Sequence, residues 1–253
     1  SNRVFSYVHT WAQNVANPAL LTRSLQVGKH WAFAALVGVQ LVLFGTSAAR
    51  SVLFYPLLVL AVFWVSHKRY ALHLTVLGLS LAVTASCAMV LSLGDLMPVS
   101  LFVRRVMFVP AWLNYVYYEY FASAGYVCWS NSVLGPLLRY TFGLPPALLI
   151  SDYLKGDTLT WMNTSFLGAG YMHLGFLGMI IYSVIIGLLM GLVDAITANR
   201  VTVPFAVATV IVPFFVLFTS ADLPTALLTH GVALSVMLLG LFSASQATEK
   251  RDH

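Results

Sequence analysis

The stretch YMHLGFLGMIIYSVIIGLLMGLV, residues 171–193, contains no Asp, Glu, Lys or Arg. A bilayer core of roughly 30 Å is crossed by a helix of about 20 mostly apolar residues. The run shows none of the every-second-residue alternation of a barrel strand, so it reads as a transmembrane helix. Gly175, Gly178, Gly187 and Gly191 place small residues on related faces, where helices in membranes approach closely. Similar runs cover residues 31–48, 51–65, 72–93, 201–219 and 225–242. The chain has 253 residues, 60% of them hydrophobic and 8% charged. Soluble domains carry about 25% charged residues. A mean hydropathy of +0.87 agrees. The expected architecture is an all-α, polytopic transmembrane helix bundle forming a single domain over residues 1–253.

Residues 1–30 are mixed and mildly basic, with Arg3, Arg23 and Lys29, and read as an interfacial or linker segment. The chain opens Ser1–Asn2–Arg3 without a short apolar segment and cleavage site. It is read as a fragment that has lost N-terminal helices. Cys87 and Cys128 are read as unpaired small apolar residues. The net charge of +5 comes from Lys and Arg at helix ends, where they set orientation. It points to no nucleic-acid partner.

Charge position also orients the chain. With His67–Lys68–Arg69 in the cytoplasm, the run 72–93 leads outward. With Lys250–Arg251 in the cytoplasm, the last run starts outside near Asp222, the one before it starts inside at Arg200, and residues 171–193 start outside. Residues 93 and 171 therefore share the outer side, and the segment between them crosses an even number of times, most simply zero. Its apolar part, 106–127, carries Asn114, Glu119 and several tyrosines. The expectation is a helix that is re-entrant or lies along the outer face. The alternative is an ordinary further span.

The segment 93–171 then becomes the expected working face. Arg104 and Arg105 lie there against the charge bias. Paired guanidiniums suit phosphate recognition, and they also snorkel to lipid headgroups; the two readings stand side by side. Asp152, Asp157 and Asn163 are loop residues, solvated or sugar-binding. Arg139 reads as a second phosphate or sugar contact, or as an interfacial anchor. His173, at the outer end of the glycine-rich run, reads as a general base near neutral pH or as a packing histidine. Asp222 fits a cap on a helix starting at Pro224, or a hydroxyl ligand. His230 is placed two turns into an apolar helix, where an ionisable group is a functional candidate, and the favoured reading is a histidine bonded to a neighbouring helix. The sequence has no Gly-rich phosphate loop, no Gly-x-Ser-x-Gly and no His-Glu-x-x-His.

The stretch Arg104–Arg105–Val106–Met107–Phe108–Val109–Pro110, followed by Tyr117–Tyr118–Glu119–Tyr120–Phe121, resembles a pattern of the Wzy-type polysaccharide polymerases, also called O-antigen or oligosaccharide repeat-unit polymerases. Residues 163–171, running into Leu174–Gly175–Phe176–Leu177–Gly178, are similar to that family's Asn/Gly-rich loop and the helix it enters. Residues 223–231, ending Thr229–His230–Gly231, are similar to its penultimate loop and final helix. The resemblance covers about residues 50–245. The family carries more spans than are counted here, in line with a fragment.

The resemblance implies a multi-pass protein of the bacterial inner membrane. It would be a glycosyltransferase that joins repeat units carried on undecaprenyl pyrophosphate at the periplasmic face, without a cofactor or a metal. It implies that Arg104 and Arg105 hold the pyrophosphate and that Arg139 is a second anionic contact. His173 or Asp152 would orient or deprotonate the acceptor hydroxyl. Tyr118 and Glu119 would shape the sugar site, with Asn163 and Asp222 as further substrate contacts. Implied partners are the lipid-linked oligosaccharide, membrane lipids and a chain-length regulator protein. Competing readings are an O-antigen ligase, a transporter or flippase for a lipid-linked anion, and a structural subunit.

Overall fold

A computed structural model describes residues 3–47, 50–94, 96–97, 99–132, 135–198 and 201–249. Arg200, Lys250 and Arg251, on which part of the orientation argument rests, lie outside the described residues. The described residues form helices and turns, with no strand. In order, these are α1 (Arg3–Trp11), a π-helical turn (Ala12–Ala16), α2 (Asn17–Gln26), α3 (His30–Ser47), α4 (Arg50–Ser66) and α5 (Ala71–Leu93). A π-helical stretch (Val99–Phe108) follows. Then come α6 (Val109–Ala124), α7 (Pro146–Lys155), α8 (Phe166–Thr197), α9 (Val203–Ser220), α10 (Leu223–Leu228) and α11 (Val232–Glu249).

Among the described residues, α3, α5, α8, α9 and the segment Leu223–Ser245 are long and apolar enough to cross a membrane, and α4 is a shorter apolar helix. The solvent is legible in the burial. Only 6% of the apolar window of α5 is covered by protein. Leu72, Leu77, Leu79, Leu81 and Leu91 stand exposed along it. A helix apolar on every side and uncovered by protein is stable where lipid is the solvent. The chain is a helical membrane protein. Cys87 and Cys128 are free, as expected.

The chain divides into two compact units. Unit 1 is Ser1–Ala71, Leu188–Val216 and Thr225–His253. Its core includes Val15, Leu21, Val52, Val59, Phe205, Ala208, Val212, Val232 and Leu239. Within the segment 1–30, residues 3–26 are helical, and their inner face enters that core through Val15, Ala19 and Leu21. Unit 2 is Leu72–Gly187 and Leu217–Pro224, with Leu113, Val116, Phe121, Ile150 and Leu217 buried.

Three expected elements have a different form. The helix expected over 106–127 begins as a π-helical stretch and becomes regular only at Val109, with Pro110 in its first turn, where a missing N–H costs nothing. α6 is not among the helices apolar enough to span.

The helix expected over 225–242 is broken. α10 and α11 are separated at residues 229–231, where Gly231 has φ +84°. A side chain there would strike Val15, and Trp11 Nε1 donates to Leu228 O at 2.7 Å. His230 therefore sits in a break and not inside a helix.

The run 171–193 is bent. Leu174 (φ −145°) and Gly175 (φ +61°) leave helical geometry within α8. In a straight helix, residues 170 and 178 would stand about 12 Å apart along the axis. Here a Cβ on Gly178 would collide with the Gly170 carbonyl, and one on Gly170 with the Gly178 carbonyl. The two halves fold back on each other through these glycines. The part after the bend, residues 176–197, is about 33 Å long, a membrane span. Gly187 and Gly191 face open space where a side chain would stand, so they take no part in this approach.

Candidate functional site

The bend in α8 leaves the first half-helix with carbonyls that no later turn can satisfy. The chain just after α6 supplies the donors. Val127 N–H donates to Met172 O at 2.9 Å and Cys128 N–H to His173 O at 3.3 Å. Trp129 N–H donates to His173 Nδ1 at 2.9 Å. To deliver these N–H groups, Cys128 and Trp129 take φ values of 51° and 57°. Left-handed geometry at a non-glycine residue costs roughly 1–3 kcal/mol, and such residues gather at functional sites.

His173 is fully buried, at 0% exposure. Its Nδ1 accepts a hydrogen bond, so its proton sits on Nε2, which donates to Asp222 Oδ2 at 3.2 Å. Tyr182 Oη donates to Asp222 Oδ1 at 2.7 Å, and Trp129 Nε1 donates to Tyr182 Oη at 2.6 Å. The Trp129 ring stacks on the imidazole at 4.9 Å and 19°. The result is a closed ring of four side chains from three segments. Two members are partly open, Trp129 and Asp222, and the Asp222 side chain is 16% exposed. An ionised carboxylate accepts about four hydrogen bonds, and the ring uses one on each oxygen. The arrangement presents an oriented acceptor at the edge of a buried network. The Asp222 carboxylate is held by side chains, in place of the helix cap expected for it.

Asn114 forms a second node. Its Oδ1 accepts from Thr164 Oγ1 at 2.6 Å, Ser165 Oγ at 2.8 Å and Gly168 N at 3.1 Å. Ser165 Oγ in turn accepts from Leu167 N at 3.3 Å. Ser165 is thus the N-cap of α8, and Asn114 reaches across from α6 to bind the next free N–H. A side chain at Gly168 would strike Thr164 and Asn114. Tyr117 Oη donates to Met162 O at 3.0 Å, tying α6 to the same loop.

Beside this node lies a cleft of about 240 Å³ lined by Asn114, Tyr115, Tyr118, Gly168, Tyr171 and Phe176. Tyr118 meets Tyr171 at 4.8 Å and Phe176 at 6.1 Å, and Tyr171 meets Phe176 at 5.3 Å. Aromatic faces next to hydroxyl tips offer apolar area with polar handles.

Of the residues singled out in the sequence, the fold joins His173 to Asp222 directly. Tyr118 lines the cleft. Arg104 and Arg105 are exposed on the π-helical stretch, Glu119 on α6, Asp152 on α7, and Arg139 and Asn163 in loops. Among the described residues, no hydrogen bond links Arg104, Arg105, Arg139, Asp152 or Asn163 to the ring. The negative charge of Glu119 raises the Tyr153 hydroxyl pKa. Burial, then the neighbouring Tyr120, pushes Tyr140 up to about 12. Asp157 is held below the usual carboxylate range by the Thr160 hydroxyl and the Leu159 N–H, an exposed turn lock.

Sequence reasoning missed Trp129 and Tyr182. Tyr182 did carry a signal, as a hydroxyl in the middle of the apolar run 171–193. Trp129 carried none, because its role depends on two left-handed residues that no local pattern announces. No family model, curated protein or solved structure matches the chain.

Proposed function

We propose that the chain is a glycosyltransferase of the bacterial inner membrane, of the Wzy-type polymerase class. It extends a polysaccharide from lipid-pyrophosphate-linked oligosaccharide units at the non-cytoplasmic face. The observation that carries this reading is the Asp222 carboxylate, oriented by His173 and Tyr182 and partly open. In this reading Asp222 accepts the proton of the acceptor hydroxyl as its oxygen attacks the anomeric carbon. The bond from that carbon to the pyrophosphate oxygen breaks, and the electron pair leaves with the lipid pyrophosphate. Exposed Arg104 and Arg105 supply planar donor forks for that anion. Tyr118, Tyr171 and Phe176 give the sugar an aromatic wall.

The geometry favours Asp222 over the other candidate bases. Both nitrogens of His173 are engaged, so His173 acts through Asp222 as a positioning residue. Asp152 is exposed, and no donor among the described residues fixes it. General base catalysis contributes typically 10²–10⁴-fold. Asp222→Asn is expected to slow chain extension by about that factor in membranes supplied with lipid-linked repeat units, with the protein still inserted. His173→Gln is expected to lower the rate less and to shift its pH profile. Extension by Asp222→Asn within about threefold of wild type would refute the assignment. If Arg104→Ala instead removed lipid-linked units from the outer leaflet, transport would be the reading to adopt.

A further inference from the structure

Unit 1 holds a separate concentration of polar atoms in an apolar setting. The π-helical turn and the start of α2 carry Gln13, Asn14 and Asn17, which are 9%, 2% and 4% exposed. Gln40 of α3, also buried, ties them together. Its Nε2 donates to the backbone oxygens of Gln13 and Val52, each at 3.2 Å. Its Oε1 accepts from Asn17 Nδ2 at 2.5 Å, and Asn17 Nδ2 also donates to Leu36 O at 3.1 Å. These bonds fix which end of the Asn17 amide is which. Turning it over would set Oδ1 against two other oxygens.

Asn17 Oδ1 is therefore a buried acceptor with no donor among the described residues, and so are Gln13 Oε1 and Asn14 Oδ1. His230 Nδ1 is a further unpartnered atom. It lies next to Gly231, which abuts Val15 of the same π-helical turn. One buried polar atom left unpaired costs roughly 1–3 kcal/mol. Native proteins leave few, so several on one turn call for a shared partner. Single π-helical turns within helices also concentrate at functional sites.

We propose that this cluster binds an alkali cation, Na⁺ or K⁺, through Gln13 Oε1, Asn14 Oδ1 and Asn17 Oδ1. The donor set selects the charge. All three ligands are neutral oxygens, whereas tight divalent sites use carboxylates. A single water brings two hydrogens, too few for three acceptors, while a cation serves all of them at once. Broken helices in membrane transporters coordinate Na⁺ through unwound backbone carbonyls, which are likewise neutral oxygens. The ion fastens the π-helical turn and α2 to α3 through Gln40. This site shares no residue with the Asp222 network, and its existence does not depend on the catalytic reading.

The test uses the purified full chain in lipid nanodiscs. Radiolabelled Na⁺ binding is measured with choline chloride holding ionic strength constant and KCl as competitor, and thermal unfolding is followed in NaCl, KCl and choline chloride. The expected result is saturable binding of about one ion per chain and a higher Tm in at least one alkali salt than in choline chloride. The Asn14 side chain makes no hydrogen bond among the described residues, so Asn14→Ala removes a ligand and little else. It is expected to weaken ion binding about tenfold or more, a loss of about 1.4 kcal/mol or greater, with Tm in choline chloride unchanged. Asn17→Leu is expected to abolish binding. Equal Tm in all three salts with no saturable uptake, the behaviour of a site filled by water alone, overturns the proposal. Binding that both variants leave intact overturns it equally.

Discussion

Tyr182→Phe deletes one oxygen from a buried ring of four side chains, and its cost follows from the two bonds that oxygen makes. The Tyr182 hydroxyl receives Trp129 Nε1–H at 2.6 Å and gives its own hydrogen to Asp222 Oδ1 at 2.7 Å. In the variant the indole N–H points at a ring edge; an unpaired buried donor costs about 1–3 kcal/mol, and partial exposure of Trp129 places this loss toward the lower end. The carboxylate loses one of its two donors, worth about 1.5–3 kcal/mol for a bond to a charged group. Partial exposure of Asp222 lets solvent recover part of the second loss, so the expected destabilisation is about 2–4 kcal/mol. The assay is equilibrium unfolding in mixed micelles, run as a double-mutant cycle with Trp129→Phe. Residues that share one hydrogen-bond network couple by about 0.5–3 kcal/mol. The two losses are therefore expected to be clearly less than additive, since Trp129→Phe already removes one of the bonds. A Tyr182→Phe protein within 0.5 kcal/mol of wild type (about the scatter of neutral surface changes), or strict additivity, would show that the ring is not formed.

Other predictions follow from the same geometry. Gly178→Ala sets a methyl on the rigid Gly170 carbonyl, so it is expected to destabilise by about 1–3 kcal/mol or more, whereas Gly187→Ala, facing open space, is expected to be near neutral in the same unfolding assay. Asn114→Leu removes the acceptor shared by Thr164, Ser165 and Gly168 and is expected to cost about 2–4 kcal/mol. Hydrogen exchange should show the loss concentrated at the start of α8. Thr158→Cys, made in a chain with Cys87 and Cys128 replaced by Ala, is expected to react with a membrane-impermeant thiol reagent in intact cells. Protection until the cytoplasm is opened would reverse the proposed orientation.

Much of the fold was legible because lipid imposes its rule residue by residue. A membrane-length apolar run must satisfy its own backbone, and a helix does so without help from distant chain. The runs at 31–48, 72–93 and 201–219 therefore appear as α3, α5 and α9 with small shifts at their ends. The breaks were less legible. Thr229–His230–Gly231 reads as apolar helix, yet it opens where Val15, far away in sequence, packs against Gly231 and Trp11 Nε1 donates to Leu228 O. Gly175 lies in a glycine-rich run whose other members suit helix packing, so nothing local marks it as the residue that leaves the helix. The site was half legible. His173 and Asp222 stood out as polar residues in apolar surroundings, but their pairing across 49 positions of chain is a tertiary fact.

By itself, the sequence determined the class of molecule and the places where polar chemistry would gather. Hydropathy and charge act locally, through transfer of each side chain between water and lipid. The tertiary structure alone decided which of those polar groups meet. It bent residues 171–193 at Leu174 and Gly175, brought the Val127 and Cys128 N–H groups to the freed carbonyls, and left the Asp222 carboxylate partly open. The reason is physical. A hydrogen bond forms over about 3 Å between groups whose order along the chain places no bound on their separation in space.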